Sequence, residues 1–247
     1  MPPKINHSFI SKIMDAKDVI AALQVLADEK QQAVLLRFFK TGKGEYGEGD
    51  RFMGVRVPQV RAVAKEAREL KLTDVERLLA DEVHEVRLCG FLILVQQYAK
   101  TRCEAVRESI VNCYLRNARR ANNWDLVDLS APKILGEWLL SRNRDELYRL
   151  AASDNLWEQR IAMVATWRII RADQYEDTLR LAEILMAHPH DLIRKAVGWM
   201  LREVGKRDRE VLTDFLDRYA TRLSRTSLRY AIEHFPPDLR KGYMEMK

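Results

Sequence analysis

No stretch of the 247 residues is apolar for long enough to cross a bilayer, and the opening Met1-Pro-Pro-Lys-Ile-Asn-His lacks the apolar core of a secretory signal. Neither a membrane protein nor a secreted one is expected, and the expected compartment is the cytoplasm. Cysteine is scarce as well. Cys89, Cys103 and Cys113 fit no metal-ligand spacing, which argues against a disulfide scaffold and a zinc site and leaves reduced, mostly buried thiols. Strand signals are almost missing, with few alternating runs and no Asn-Gly or Asp-Gly hairpin turn. Glycine is sparse outside one segment, since five of the ten glycines fall between Gly42 and Gly54. That segment is not a nucleotide phosphate loop, because no Gly-Lys-Ser/Thr closes it and no strand precedes it. No Ser-His-Asp or Cys-His arrangement can be read from spacing. His188-Pro-His190 supplies two histidines in a turn without further ligands, so it reads as a connector. Neither a metal nor a cofactor is implied.

Charge is what the chain has in quantity. Charged residues make up 32% of it, with a net charge of +6 and a pI near 9.2. A basic surplus favours an acidic polymer as partner, although here the cations are spread along the chain instead of forming one run.

Apolar residues recur at helical spacing from Ser11 to Lys40. Ile20, Leu23, Leu26 and Ala27 share one face, then Val34, Leu35, Phe38 and Phe39 another, which predicts two helices within residues 8–40. The glycine-rich loop 41–57 follows, and Pro58 opens a helix with Val60, Val63, Ala64 and Ala67 on its inner side. Further helices are predicted to begin near Thr73, Val83, Glu104, Asn123, Arg144, Asn155, Tyr175, Asp191, Arg209 and Arg225. Trp138, Trp157 and Trp167 sit among aliphatics at helical spacing and are expected in the core.

Three of these helices resemble one another. Glu85-Val-Arg-Leu-Cys-Gly-Phe91, Glu158-Gln-Arg-Ile-Ala-Met-Val164 and Ile193-Arg-Lys-Ala-Val-Gly-Trp199 each place a cation before small and apolar residues, after a turn containing Asp or His. With Asp128-Leu-Ser-Ala131 in the same frame, Arg87, Asp128, Arg160 and Lys195 become equivalent, at separations of 41, 32 and 35 residues. HEAT-type helical pairs repeat at roughly 40 residues. The expected architecture is therefore all-α: an α-solenoid of HEAT-like repeats in a single curved domain over residues 1–247, with a basic concave groove. Equivalent positions in such a stack recur along one face, so residues 87, 128, 160 and 195 are expected on a common surface. Alternatively, Arg87, Arg160 and Lys195 bridge repeats through salt links with Asp81, Asp154 or Asp191.

The run Asn122-Asn-Trp-Asp-Leu-Val-Asp128 sets Trp124 and Asp128 one turn apart on one helix face, just beyond Arg116, Arg119 and Arg120. It can be read as a capped helix start with a packed aromatic. It can also be read as a site. A duplex lying along the repeats would meet Arg116, Arg119, Arg120, Arg194, Lys195, Arg202, Lys206 and Arg207 through its phosphates, which gives affinity without sequence preference. An acid in such a groove repels the phosphates, so Asp128 needs another reason to be there. A carboxylate can stabilise the positive charge that develops on a sugar as its glycosidic bond breaks, and can orient the attacking water. Trp124 and Trp199 would flank that charge with ring faces, and Arg160 would hold a nearby phosphate.

At these residues the chain resembles a known family. Asn123-Trp-Asp-Leu-Val-Asp128, Ser153-Asp-Asn-Leu-Trp-Glu-Gln-Arg160 and Ile193-Arg-Lys-Ala-Val-Gly-Trp-Met-Leu-Arg-Glu203 are similar, in order, spacing and residue type, to the signature stretches of the AlkD-type DNA alkylation-repair glycosylases. Phe52-Met-Gly-Val-Arg-Val-Pro-Gln-Val-Arg61 resembles the N-terminal part of that family, so the likeness spans nearly the whole chain. It implies metal-independent hydrolytic removal of cationic alkylpurines, such as 7-methylguanine and 3-methyladenine, from double-stranded DNA. It further implies Asp128 as the catalytic carboxylate, Trp124 and Trp199 as aromatic walls and Arg160 as the neighbouring cation. The expected partner is duplex DNA containing alkylated bases, with no membrane and no nucleotide cofactor, and the expected state is a monomer. The competing expectation is a noncatalytic HEAT-like module that binds DNA of unusual structure or a partner protein.

Overall fold

A computed structural model describes residues 14–246; the part of the N-terminal helical span expected at residues 8–13 lies outside the described residues. Regular structure among the described residues is helical, apart from one isolated bridge between Arg51 and Val83. The architecture is all-α, an α-solenoid of HEAT-like helical repeats, and residue contacts divide it into two compact units, one ending at Gln97 and one beginning at Tyr98.

The first unit contains α1 (Ala16–Gln24), α2 (Glu29–Phe38), α3 (Val57–Glu66), α4 (Leu72–Leu79) and most of α5 (His84–Lys100). Local chemistry sets where α1 begins. The Asp15 carboxylate accepts the Lys17 and Asp18 N–H groups, and Asp18 accepts that of Asp15, which closes a capping box. Val19 and Leu23 of α1 then pack with Val60, Val63 and Ala64 of α3 and Val75, Leu78 and Leu79 of α4 in one apolar layer. α2 departs from expectation. Val34 and Phe38 stand 47% and 59% exposed, and only Phe39, just past the helix end, is buried. Helical spacing makes a helix there, but among the described residues that face stays largely exposed.

The glycine-rich loop is shaped by the start of α5. The Glu85 carboxylate, fully buried, accepts the backbone N–H groups of Met53, Gly54 and Val55 at 2.8–3.2 Å. Gly54 has φ +86°, and a Cβ there would lie 2.0 Å from the Asp28 carbonyl oxygen, so both the backbone angle and the space demand glycine. Asp50, at the end of the loop, bonds His84 at 2.8 Å and the guanidinium of Arg87, with the rings of Phe39, Phe52 and His84 stacked alongside. Arg87 is 2% exposed and also donates to the Asp81 carbonyl at 3.0 Å. It therefore does not join the expected surface row. The buried acid it meets is Asp50, whereas the bridging alternative named Asp81, which Arg87 contacts at its backbone carbonyl.

The second unit carries α6 (Glu104–Arg116), α7 (Trp124–Ser130), α8 (Asp145–Ala151), α9 (Leu156–Ile170), α10 (Glu176–Leu185), α11 (Asp191–Arg207), α12 (Arg209–Tyr219), α13 (Arg225–Ala231) and α14 (Pro237–Glu245). Every second helix meets the next: α7 packs on α9, α9 on α11 and α11 on α13, while α8 and α10 pack against α9 and against each other. This alternation is the two-helix repeat read from the sequence. Helix starts fall within a residue of their expected places because their caps are local. Asn155 accepts the Trp157 and Glu158 N–H groups, Asp208 that of Val211 and Ser224 that of Ser227. Trp157 is buried as expected, whereas Trp138 and Trp167 are half-buried, with Arg142 and Arg171 lying over their rings.

α9 is apolar nearly all round, with Ile161 through Ala165 fully buried, as befits a helix with neighbours on both sides. Its closest approach is to Gly136, where a Cβ would sit 2.3 Å from the Ala165 carbonyl oxygen. Gly136→Ala is expected to force these two backbones apart and cost about 1–3 kcal/mol, read as a lower urea midpoint. An unchanged midpoint would mean that the contact yields freely.

Candidate active site

α7 begins at Asn123, whose buried side-chain oxygen accepts the Trp124 N–H at 2.9 Å. Leu126, Val127 and Ser130 face inward, which leaves Trp124 and Asp128 half-buried on the other side, one turn apart as the spacing predicts. Pro132 then interrupts the helix. It has no N–H to return to the Asp128 carbonyl, and the chain widens into a single π-helical turn, Pro132–Gly136, closed by Gly136 N–H donating to the Ala131 carbonyl at 2.9 Å. Turns of this kind recur at functional sites. Beneath α7, the Ser130 hydroxyl donates to the Leu126 carbonyl at 2.5 Å and lies 3.3 Å from the hydroxyl of the fully buried Tyr114.

Arg160 projects from α9 and is 5% exposed. Its Nε donates to Oδ1 of Asp128 at 3.0 Å and its Nη2 to Oδ2 at 2.8 Å, a two-point fork that fixes the plane of the carboxylate. The remaining nitrogen, Nη1, donates to the Leu192 carbonyl in the first turn of α11 at 2.7 Å. One guanidinium thus ties α7, α9 and α11 together. The Leu192 end is held by His190, whose Nδ1 accepts the Leu192 N–H at 3.1 Å as the cap of α11. Burial lowers the His190 pKa, with neighbouring His188, Arg160 and Arg194 acting in the same direction against Asp191, which favours the neutral ring that this cap requires. The two histidines serve as backbone acceptors, the connector role expected of them.

The pair is lopsided in its access to solvent. The Asp128 side chain keeps 19% of its surface while that of Arg160 keeps 6%, so Asp128 is the more accessible member of the pair. Burial pushes the Asp128 carboxyl above the ordinary aspartate range, the Arg160 charge and hydrogen bonds pull it back, and nearby Asp125 adds to the rise. The result is a held, oriented and partly dehydrated acid. Such a group attracts positive charge more strongly than a fully hydrated one.

Trp199 lies half-buried on α11, two turns beyond Leu192. Lys195, the position equivalent to Arg160 by repeat, pairs with Asp191 at 2.8 Å, one turn away on its own helix, so this pair does not bridge repeats. Direct contact within the expected row is therefore between Asp128 and Arg160. Among the cations expected to meet phosphates, Arg116 is exposed at the end of α6 and Arg120 half-buried just after it. Arg119 reaches Asp154 and Glu158 at 3.3 and 3.4 Å, and Arg194 donates to the His188 carbonyl at 2.8 Å. Arg202 pairs with Glu233, Lys206 with Glu203 at 2.7 Å and Arg207 with Asp173 at 2.8 Å. Pairs with one or both partners exposed are worth at most about 1 kcal/mol, so exchanging the acid for a phosphate costs little. The sequence reading missed the Leu192 carbonyl and its histidine cap as supports of Arg160. A signal existed in the His-containing turn before α11.

The family model described as DNA alkylation repair enzyme matches residues 19–235. Among solved structures, one described as a predicted DNA alkylation repair enzyme from Enterococcus faecalis superimposes with a TM-score of 0.66 at 17% identity, covering 85% of this chain and 97% of that one. At that identity the likeness shows a shared fold. A search of curated proteins finds no match.

Proposed function

Because the chain belongs to the DNA alkylation repair enzyme family, we propose that it is a DNA N-glycosylase that hydrolyses the glycosidic bond of cationic alkylpurines, 7-methylguanine and 3-methyladenine, in duplex DNA. The observation that carries this is the Asp128 carboxylate, gripped at two points by buried Arg160 yet still open to solvent. An N7- or N3-alkylated purine already bears positive charge and leaves as a neutral base with the bonding electrons, so no general acid is needed. The sugar is left as an oxocarbenium ion. Asp128 stabilises that cation and orients the water that adds to C1′, and the water gives up its proton to leave an abasic site. Trp124 and Trp199 offer π faces to the same positive charge, an effect worth about 0.5–2 kcal/mol each. In this role Arg160 holds the plane and favours the ionised form of Asp128.

The deciding experiment is incubation of the protein with methylated duplex DNA and measurement of free 7-methylguanine; absence of release at high enzyme concentration would overturn the proposal. A pH profile tests the role of Arg160. Activity that needs the carboxylate is lost as pH falls through the Asp128 pKa, which lies above its ordinary value of 3.8. Arg160 lowers that pKa, so Arg160→Gln is expected to move the acid limb of single-turnover release to higher pH, by roughly one unit or more. A limb that stays in place would detach Arg160 from the ionisation of Asp128.

A further inference from the structure

The second unit holds a cavity of about 780 Å³ where α11, α13 and α14 meet, and it is separate from the Asp128–Arg160 pair. Its position follows from close packing. A Cβ on Gly198 of α11 would lie 2.4 Å from the Ser227 carbonyl oxygen and 2.5 Å from the Tyr230 Cβ, so α13 is drawn tightly against α11 and the space opens beyond that contact. Arg202 of α11, Arg229 of α13 and Arg240 and Lys241 of α14 line it, against the single carboxylate of Glu233.

The state of these cations distinguishes the cavity from an ordinary charged surface. The guanidinium groups of Arg229 and Arg240 take part in no hydrogen bond or ion pair recorded among the described residues. Lys241 reaches Glu245 only at 3.9 Å. Arg202 pairs with Glu233, its Nε lies 4.0 Å from the Glu203 carboxylate without a hydrogen bond, and its guanidinium stands 6.0 Å from the ring centre of Tyr230. Arg229 and Arg240 are exposed, and their planar guanidinium forks match phosphate oxygens two at a time. The excess of positive charge favours an anion over a cation. The volume falls in the range of small-ligand sites.

We infer that this cavity binds the phosphate group of a nucleotide, with Arg229 and Arg240 as its principal contacts, Arg202 and Lys241 in support and Tyr230 as an aromatic wall. The phosphate comes either from a DNA strand that continues past the site or from a free nucleotide, and the choice of these sources rests on the DNA-repair reading. None of Arg229, Arg240 or Lys241 was singled out by the sequence.

The test compares the full chain with Arg229→Gln/Arg240→Gln, two exposed positions whose replacement should leave the circular dichroism spectrum unchanged. One arm titrates undamaged duplex DNA over a range of salt concentrations; the other titrates dGMP by calorimetry. If the phosphate belongs to DNA, the variant binds duplex about tenfold more weakly and its log–log salt slope falls by nearly two, the share of two phosphate contacts. If it belongs to a free nucleotide, duplex binding is unchanged, while dGMP binds the parent chain and not the variant. Equal behaviour of the two proteins in both arms overturns the inference. No base release is measured, so this outcome is independent of whether the glycosylase reading stands.

Discussion

Replacing Asp128 with Asn is expected to reduce release of 7-methylguanine from methylated duplex DNA by about a thousandfold or more, while binding of undamaged duplex is retained or tightened. The two halves of that expectation have one cause. Asn keeps the shape of the side chain and can still accept from Arg160, but it carries no charge to set against the developing sugar cation. Loss of a single preorganised electrostatic stabiliser typically costs a factor of about 10²–10³; here the water-orienting role would be weakened at the same time. In the bound ground state the duplex presents phosphates, which the carboxylate repels, so removing it relieves binding. Single-turnover rates together with anisotropy titrations separate the effects. A variant that releases base at the parental rate would reduce Asp128 to a structural partner of Arg160 and leave the noncatalytic binding module as the better description.

The largest expected effect on stability lies in the first unit. Arg87→Met is expected to lower stability by about 3–5 kcal/mol, because it removes the guanidinium from a buried ion pair with Asp50. Asp50 is left with His84 as its recorded side-chain partner among stacked rings. Burial alone raises the Asp50 pKa, but the hydrogen bond and charge of His84 together with Arg87 outweigh it and hold the carboxyl below its ordinary 3.8. A depressed carboxylate contributes stability above its unfolded-state pKa, and that contribution fades as pH falls through the folded value. The parent protein should therefore weaken on acidification below about pH 3.8, and the variant, having lost part of the depression, should show a shallower fall. Asp50→Asn/Arg87→Met is expected to recover some of the loss, since both charges leave together. Urea titrations of the parent and the two variants check this; a loss under about 1 kcal/mol for Arg87→Met would show that the pair is not truly desolvated.

The contrast between Arg87 and Arg160 shows what the sequence could and could not convey. Both occupy the same place in the repeat pattern, and periodicity correctly set Arg160 beside Asp128. It could not distinguish them further, because what each meets depends on residues far away in the chain: a loop ending in Asp50 for one, a helix C-terminal to it for the other. Helix starts were legible because Asn155, Asp208 and Ser224 act on amides two or three residues away. The last helix, α14, went unread behind Pro236-Pro237, and with it the cations of the cavity. The exposed side of α2 illustrates the same limit, since spacing gives a stripe of apolar residues but not what lies opposite. Backbone acceptors such as the Leu192 carbonyl leave no trace in residue type at all.

A stack in which each helix leans mainly on its neighbours frays from its ends, much as a zipper opens from its tab. In the second unit the acid, its fork and the capped start of α11 occupy inner turns of that stack, whereas α14 lies at the outer edge with the cationic cavity beside it. On the proposed reading, the bond-breaking chemistry would sit where opening is costliest and phosphate binding where it is cheapest, so the second could loosen without disturbing the first.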